Sequence, residues 1–100
     1  MTSLFDRVVS AVCREMGVSR PHLLAATRCN QDVAWARQVA VYCCWKLKPG
    51  LSWSELGRWF KRDRTTVRHA CRLVEEVRGE GEDLDELVRR IESECSTATV

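Results

Sequence analysis

Between Asp32 and Lys48 the chain contains neither glycine nor proline, and Pro49-Gly50 follows at once. An acidic start and this pair of helix breakers predict one long helix. Val33, Trp35, Ala36, Val39, Ala40, Tyr42, Cys43, Cys44 and Leu47 spread around almost its whole circumference. A helix that is apolar nearly all round has no broad side to offer to water, so it has to be central and covered by its neighbours. Any fold for this chain must wrap other elements around these residues, with Trp45 and Lys46 reaching the surface at the far end.

The covering elements are legible from periodicity and caps. Leu4, Val8, Val9, Val12 and Met16 recur at helical spacing, and Gly17 is placed to end that helix near Val18. Ser19 as N-cap with Pro21 in the first turn predicts a short second helix through Leu23, Leu24 and Ala25, and Thr27 to Gln31 reads as a polar loop. Ser52-Trp53-Ser54-Glu55 fits a capping box and opens a helix through Leu56, Trp59 and Phe60. Asp63 can cap the next, running to about Arg78, where Gly79-Glu80-Gly81 ends it. Asp83 to Glu94 forms a last helix with Leu84, Leu87, Val88 and Ile91 on one face. There is no alternating strand pattern and no repeat. The expected fold is all-α, a helix-turn-helix bundle of about six helices, with residues 1–95 as one domain and 96–100 as a disordered tail.

No apolar run approaches the roughly 20 residues that span a bilayer, and the first residues begin an amphipathic pattern rather than a signal peptide. A cytoplasmic protein at the nucleoid, without a membrane partner, is expected. The six cysteines form no Cys-x-x-Cys pair. They are read as reduced thiols packed as small hydrophobes, against the alternative of a zinc site combining Cys13 or Cys71 with His22 or His69. Neither histidine has a cysteine or carboxylate at the spacing of a nucleophilic centre, so no catalytic residue, cofactor or metal is expected.

Net charge is only +2, but it is sorted along the chain: residues 1–72 carry 13 basic and 5 acidic side chains, residues 73–100 carry 3 and 9. The basic part would attract a polyanion, and the acidic part would not touch phosphate. Within the basic part, Val67, Ala70, Val74 and Val77 fall on one side of the helix that begins near Asp63. Thr65, Arg68 and Arg72 fall opposite, flanked by Arg64 and His69. A packed back, a cationic front and short hydroxyls, in the second helix of a helix-turn-helix, suit reading of double-stranded DNA.

The run Asp63-Arg64-Thr65-Thr66-Val67-Arg68-His69-Ala70 resembles the Asp-His-Thr-Thr-Val-x-His-Ala signature of the C-terminal DNA-binding domain of the bacterial replication initiator DnaA. Arg37-Gln38-Val39-Ala40 resembles that family's Arg-Gln-x-Ala segment, Ser52-Trp53-Ser54-Glu55-Leu56-Gly57 its scaffold-helix start, and Leu23-Leu24 matches upstream. The resemblance implies base contacts in the major groove for Asp63, Arg64 and Thr65, a backbone contact for Thr66, and a minor-groove role for Arg28. It places Trp53 and Ser54 where a helix N-terminus meets phosphate. Lys46, Lys61 and Arg62 would add electrostatic contacts, as would Arg68 and Arg72 on the cationic front.

Three departures bear on specificity. Arg64 stands where the signature has His, the Lys61-Arg62 link is one residue shorter, and Lys48-Pro49-Gly50 is one longer. Arg64 can hold a guanine edge bidentately or settle on backbone phosphate, and both readings stay open. The chain begins at Met1 directly with the first helix and carries no Walker signature, so neither nucleotide hydrolysis nor helicase loading is expected of it. The favoured reading is a transcriptional regulator. The alternatives are a factor binding a replication origin or controlling replication, and a protein-interaction module using the acidic last helix, with RNA polymerase or a replication factor as the protein partner.

Overall fold

The computed structural model describes residues 3–25 and 30–97, and among them six helices and no strand. These are α1 (Leu4–Met16), α2 (Arg20–Leu23), α3 (Gln31–Leu47), α4 (Trp53–Phe60), α5 (Arg64–Arg78) and α6 (Glu82–Thr97). α3 meets each of the other five. Its buried residues, Val33, Ala36, Val39, Ala40, Val41, Tyr42, Cys43 and Cys44, surround the axis as the all-round apolar pattern requires. α1 contributes Val8, Val9, Ala11 and Val12 to the same core, and α6 contributes Val88, Ile91 and Cys95.

Helix starts follow cap chemistry. Ser3 Oγ accepts from Asp6 N at 3.1 Å, Ser19 Oγ from His22 N at 3.4 Å, and Ser52 Oγ from Glu55 N at 3.1 Å. Gly17 closes α1 in the left-handed region at φ 66°. α3 begins one residue earlier than expected, because Asn30 is the cap and its Oδ1 accepts from Val33 N at 2.9 Å. α2 is shorter than expected: it ends at Leu23, and Leu24 is its C-cap. The Leu23 and Ala25 carbonyls, which a longer helix would offer to later amides, instead accept protons from Arg37 Nε and Arg62 Nη2, both at 2.7 Å. α6 runs past Glu94 through Ser96 into Thr97, because Cys95, one turn beyond Ile91, continues the buried face.

Cys43, Cys44, Cys71 and Cys95 are buried free thiols and Cys13 is half-buried. Among the described residues no group of three or more His, Cys, Asp or Glu is placed to hold a metal ion, and no described helix is long and apolar enough to cross a membrane.

Burial penalises the anionic form of the core thiols and phenol. It pushes Cys71 up from 9.0 to about 12 and raises Cys43 and Cys44 as well. Tyr42 is pushed from 10.0 to about 12 by burial and by its hydrogen bond to Glu75. Groups that hold protons more tightly when folded contribute stability that is complete below their unfolded values and is lost as pH rises through the folded ones. The midpoint of urea unfolding should therefore stay level from neutral pH to just below 9.0 and fall steadily between 9.0 and about 12. A midpoint that is level across that alkaline range would contradict the packing of these thiols.

Candidate nucleic-acid interface

α4, a turn and α5 form the helix-turn-helix. The turn is a Schellman closure: Lys61 sits in the left-handed region at φ 55°, ψ 47°, Lys61 N donates to Arg58 O at 3.3 Å, and Arg62 N donates to Gly57 O at 2.8 Å. The chain doubles back so tightly that a Cβ built on Gly57 would lie 2.6 Å from Arg62 O. Glycine at position 57 is thus a packing requirement of the turn, since the obstructing atom is backbone.

α5 divides as its spacing predicts. Val67, Ala70, Cys71 and Val74 are buried at 1%, 4%, 1% and 0% exposure, and Val77 is half-buried. Arg64, Thr65, Thr66, Arg68, His69 and Arg72 are exposed. Arg64, the first residue of α5, opposes the positive end of the helix dipole, a placement that an external anion would relieve. Trp53, Arg64, Thr65 and Arg68 line an open concavity of about 300 Å³. A second, of about 540 Å³, lies across the turn and is lined by Ser54, Gly57, Arg58, Lys61, Arg62, Asp63 and Arg64.

Asp63 departs from expectation. Its backbone is in the capping conformation and Asp63 O accepts from Val67 N at 3.1 Å, but its side chain makes no cap hydrogen bond. Asp63 lines the second concavity together with Arg58, Lys61, Arg62 and Arg64. Arg62 departs as well. It is half-buried, and its Nη2 donates to Ala25 O and its Nη1 to Lys61 O at 3.3 Å, so this guanidinium is drawn into the fold.

Of the other expected contacts, Ser54 and Lys61 are exposed beside the turn. Trp53 is half-buried and stacks on Trp45 with centroids 5.4 Å apart, joining the start of α4 to the end of α3. Lys46 is exposed near the end of α3, its Nζ 6.0 Å from the Trp45 ring centroid. Arg28 lies outside the described residues. The structure also brings Arg37 and Gln38 of α3 beside Thr66 and His69 of α5, around a cleft of about 100 Å³. Periodicity could place these residues on faces of their own helices, but nothing in the sequence states that α3 and α5 lie side by side.

Part of the acidic end of the chain is paired within the fold, while Glu80, Glu82, Asp83 and Glu86 are exposed. Asp85 accepts from Arg78 Nε at 2.5 Å and pairs with Arg89 at 2.9 Å, Arg90 pairs with Glu15 at 3.2 Å, and Glu94 meets Arg14. The hydrogen bond from Arg78 holds the Asp85 carboxyl below its usual range. Tyr42 OH donates to Glu75 at 2.6 Å and accepts from Arg78 Nη1 at 3.0 Å, so α3, α5 and α6 meet at one polar junction. No carboxylate pair within the described residues involves Arg64, Arg68 or Arg72.

A helix-turn-helix with an apolar back and an unneutralised cationic, hydroxyl-bearing front defines the class. The chain belongs to the family described as the bacterial DnaA protein helix-turn-helix, which it matches over residues 5–74. Among its relatives are the chromosomal replication initiator proteins DnaA of Synechococcus sp. (31% identical, 86% of this chain, 19% of the relative), Sphingopyxis alaskensis (40%, 80% and 17%) and Bartonella quintana (41%, 72% and 14%). The chain spans less than a fifth of the length of these relatives. The likeness is to a DNA-binding domain and not to a catalytic one.

Two substitutions test the turn. Gly57→Ala should destabilise the domain by about 1–3 kcal/mol, because the methyl group forces backbone apart, and urea unfolding with an unchanged slope is the check. Lys61→Gly should stabilise it by about 0.5 kcal/mol, because glycine enters the left-handed region without a Cβ penalty. A loss of stability in Lys61→Gly would contradict the left-handed assignment.

Proposed function

We propose that this chain binds double-stranded DNA sequence-specifically, with α5 in the major groove, and that its sites are of the kind found at replication origins. The observation that carries this reading is the exposed front of α5, where Arg64, Thr65, Arg68 and Arg72 stand clear of any carboxylate partner while Val67, Ala70 and Val74 anchor the helix behind them. An array of guanidinium and hydroxyl groups on a rigidly seated helix suits phosphate attraction together with base-edge readout. Kinship with replication initiators supports an origin-type site over a promoter. The transcriptional role expected from the sequence has no such support.

In this reading Asp63, Arg64 and Thr65 face bases, while Thr66, Lys61, Ser54, Trp53 and Lys46 lie along the backbone, with Arg68 and Arg72 adding charge. The protein works at the nucleoid and needs neither cofactor nor nucleotide for this step.

Selection of bound duplexes from a random pool, followed by fluorescence anisotropy on the winner, tests the proposal. Arg64→Ala and Thr65→Ala should each cost about 1–3 kcal/mol on the selected site and far less on random duplex. Equal losses on both would remove these residues from base readout. Cross-linking and sequencing of bound chromosomal DNA then separates the two settings, with enrichment at the origin expected. Enrichment confined to promoters would overturn the replication assignment.

A further inference from the structure

Arg62 is read from sequence as one more cation for the DNA backbone, but its surroundings give it a different task. The guanidinium spans two carbonyls: Nη2 donates to Ala25 O at 2.7 Å, across the molecule just beyond α2, and Nη1 donates to Lys61 O at 3.3 Å in the turn itself. Ala25 O also accepts from Arg37 Nη2 of α3 at 3.4 Å, while Arg37 Nε holds Leu23 O. Two guanidiniums from separate elements thus converge on one carbonyl. The Arg62 backbone is pinned at the same time, its N–H to Gly57 O at 2.8 Å and its own carbonyl against Gly57 Cα. The next three residues are Asp63, Arg64 and Thr65, the first turn of the exposed front.

We propose that Arg62 is a positioning residue: it fastens the turn of the helix-turn-helix to the end of α2, and so fixes where Asp63, Arg64 and Thr65 stand relative to the body. A planar fork is required for this, because one side chain must reach two acceptors in different directions, which a single ammonium does not reproduce. The carbonyls it holds fix its place and engage its donors within the fold. The proposal rests on the DNA-binding reading above for its functional consequence. The clamp itself is independent of DNA.

Arg62→Lys, Arg62→Gln and Lys61→Gln are compared by anisotropy on the selected duplex and on random duplex across a salt series, alongside hydrogen exchange of the Leu23, Leu24 and Ala25 amides without DNA. The clamp predicts faster exchange at these amides in both Arg62 variants. It also predicts a roughly tenfold loss of affinity for the selected site even in the charge-conserving Arg62→Lys, with random-duplex affinity of that variant retained within about twofold. A direct phosphate contact predicts instead that Arg62→Lys binds like the unaltered protein and that Arg62→Gln lowers the salt slope by about 0.9, as an exposed cation such as Lys61 should. That outcome overturns the proposal. Faster exchange with an unchanged ratio of selected to random affinity overturns it too, by reducing Arg62 to a structural role. If the unaltered protein binds no duplex, the DNA reading fails while exchange still decides whether the clamp exists.

Discussion

The approach of Gly57 to the Arg62 carbonyl sets the angle at which α5 leaves the body, and the rest of the candidate interface follows from that angle. A side chain at 57 would push the two backbones apart, and the left-handed Lys61 and the amide of Arg62 could no longer close the end of α4. With the turn closed, Val67, Ala70 and Val74 fall against the core. Fully burying a valine contributes on the order of 1.5–3 kcal/mol, enough for a few such residues to hold the helix in one orientation. The front then stands outward because the back is committed.

The described cations differ in fate according to what lies within reach. Arg78, Arg89, Arg90 and Arg14 sit among the carboxylates of α6 and its neighbours and are paired. Arg64, Arg68 and Arg72 are carried to another face of the bundle, where a strongly charged front persists although the whole chain is nearly neutral. The separation keeps the acidic end from competing for the basic front. The same pairs hold α6 against α1 and α5.

Much of the fold was legible because it rests on local rules. The all-round apolar pattern of α3, the Ser52 cap, Gly17 at the end of α1 and the Gly79 stop are each a matter of a few neighbouring residues. The misreadings have a common cause. α2 ends early because Arg37 and Arg62, distant in sequence, take its carbonyls. α6 continues past Glu94 because Cys95 finds a place in a core built mostly by other helices.

The sequence by itself determined which residues form helices, which face of α5 is apolar and which cationic, and the family to which the domain belongs, because periodicity, caps and a contiguous motif are properties of short stretches of chain. Only the tertiary structure decided which cations are available to a partner and which are consumed inside the fold. Arg62 and Arg64 are two residues apart and alike in chemistry. One is folded back onto Ala25 while the other faces solvent, since a hydrogen-bond partner 37 residues away exists only once the helices have packed.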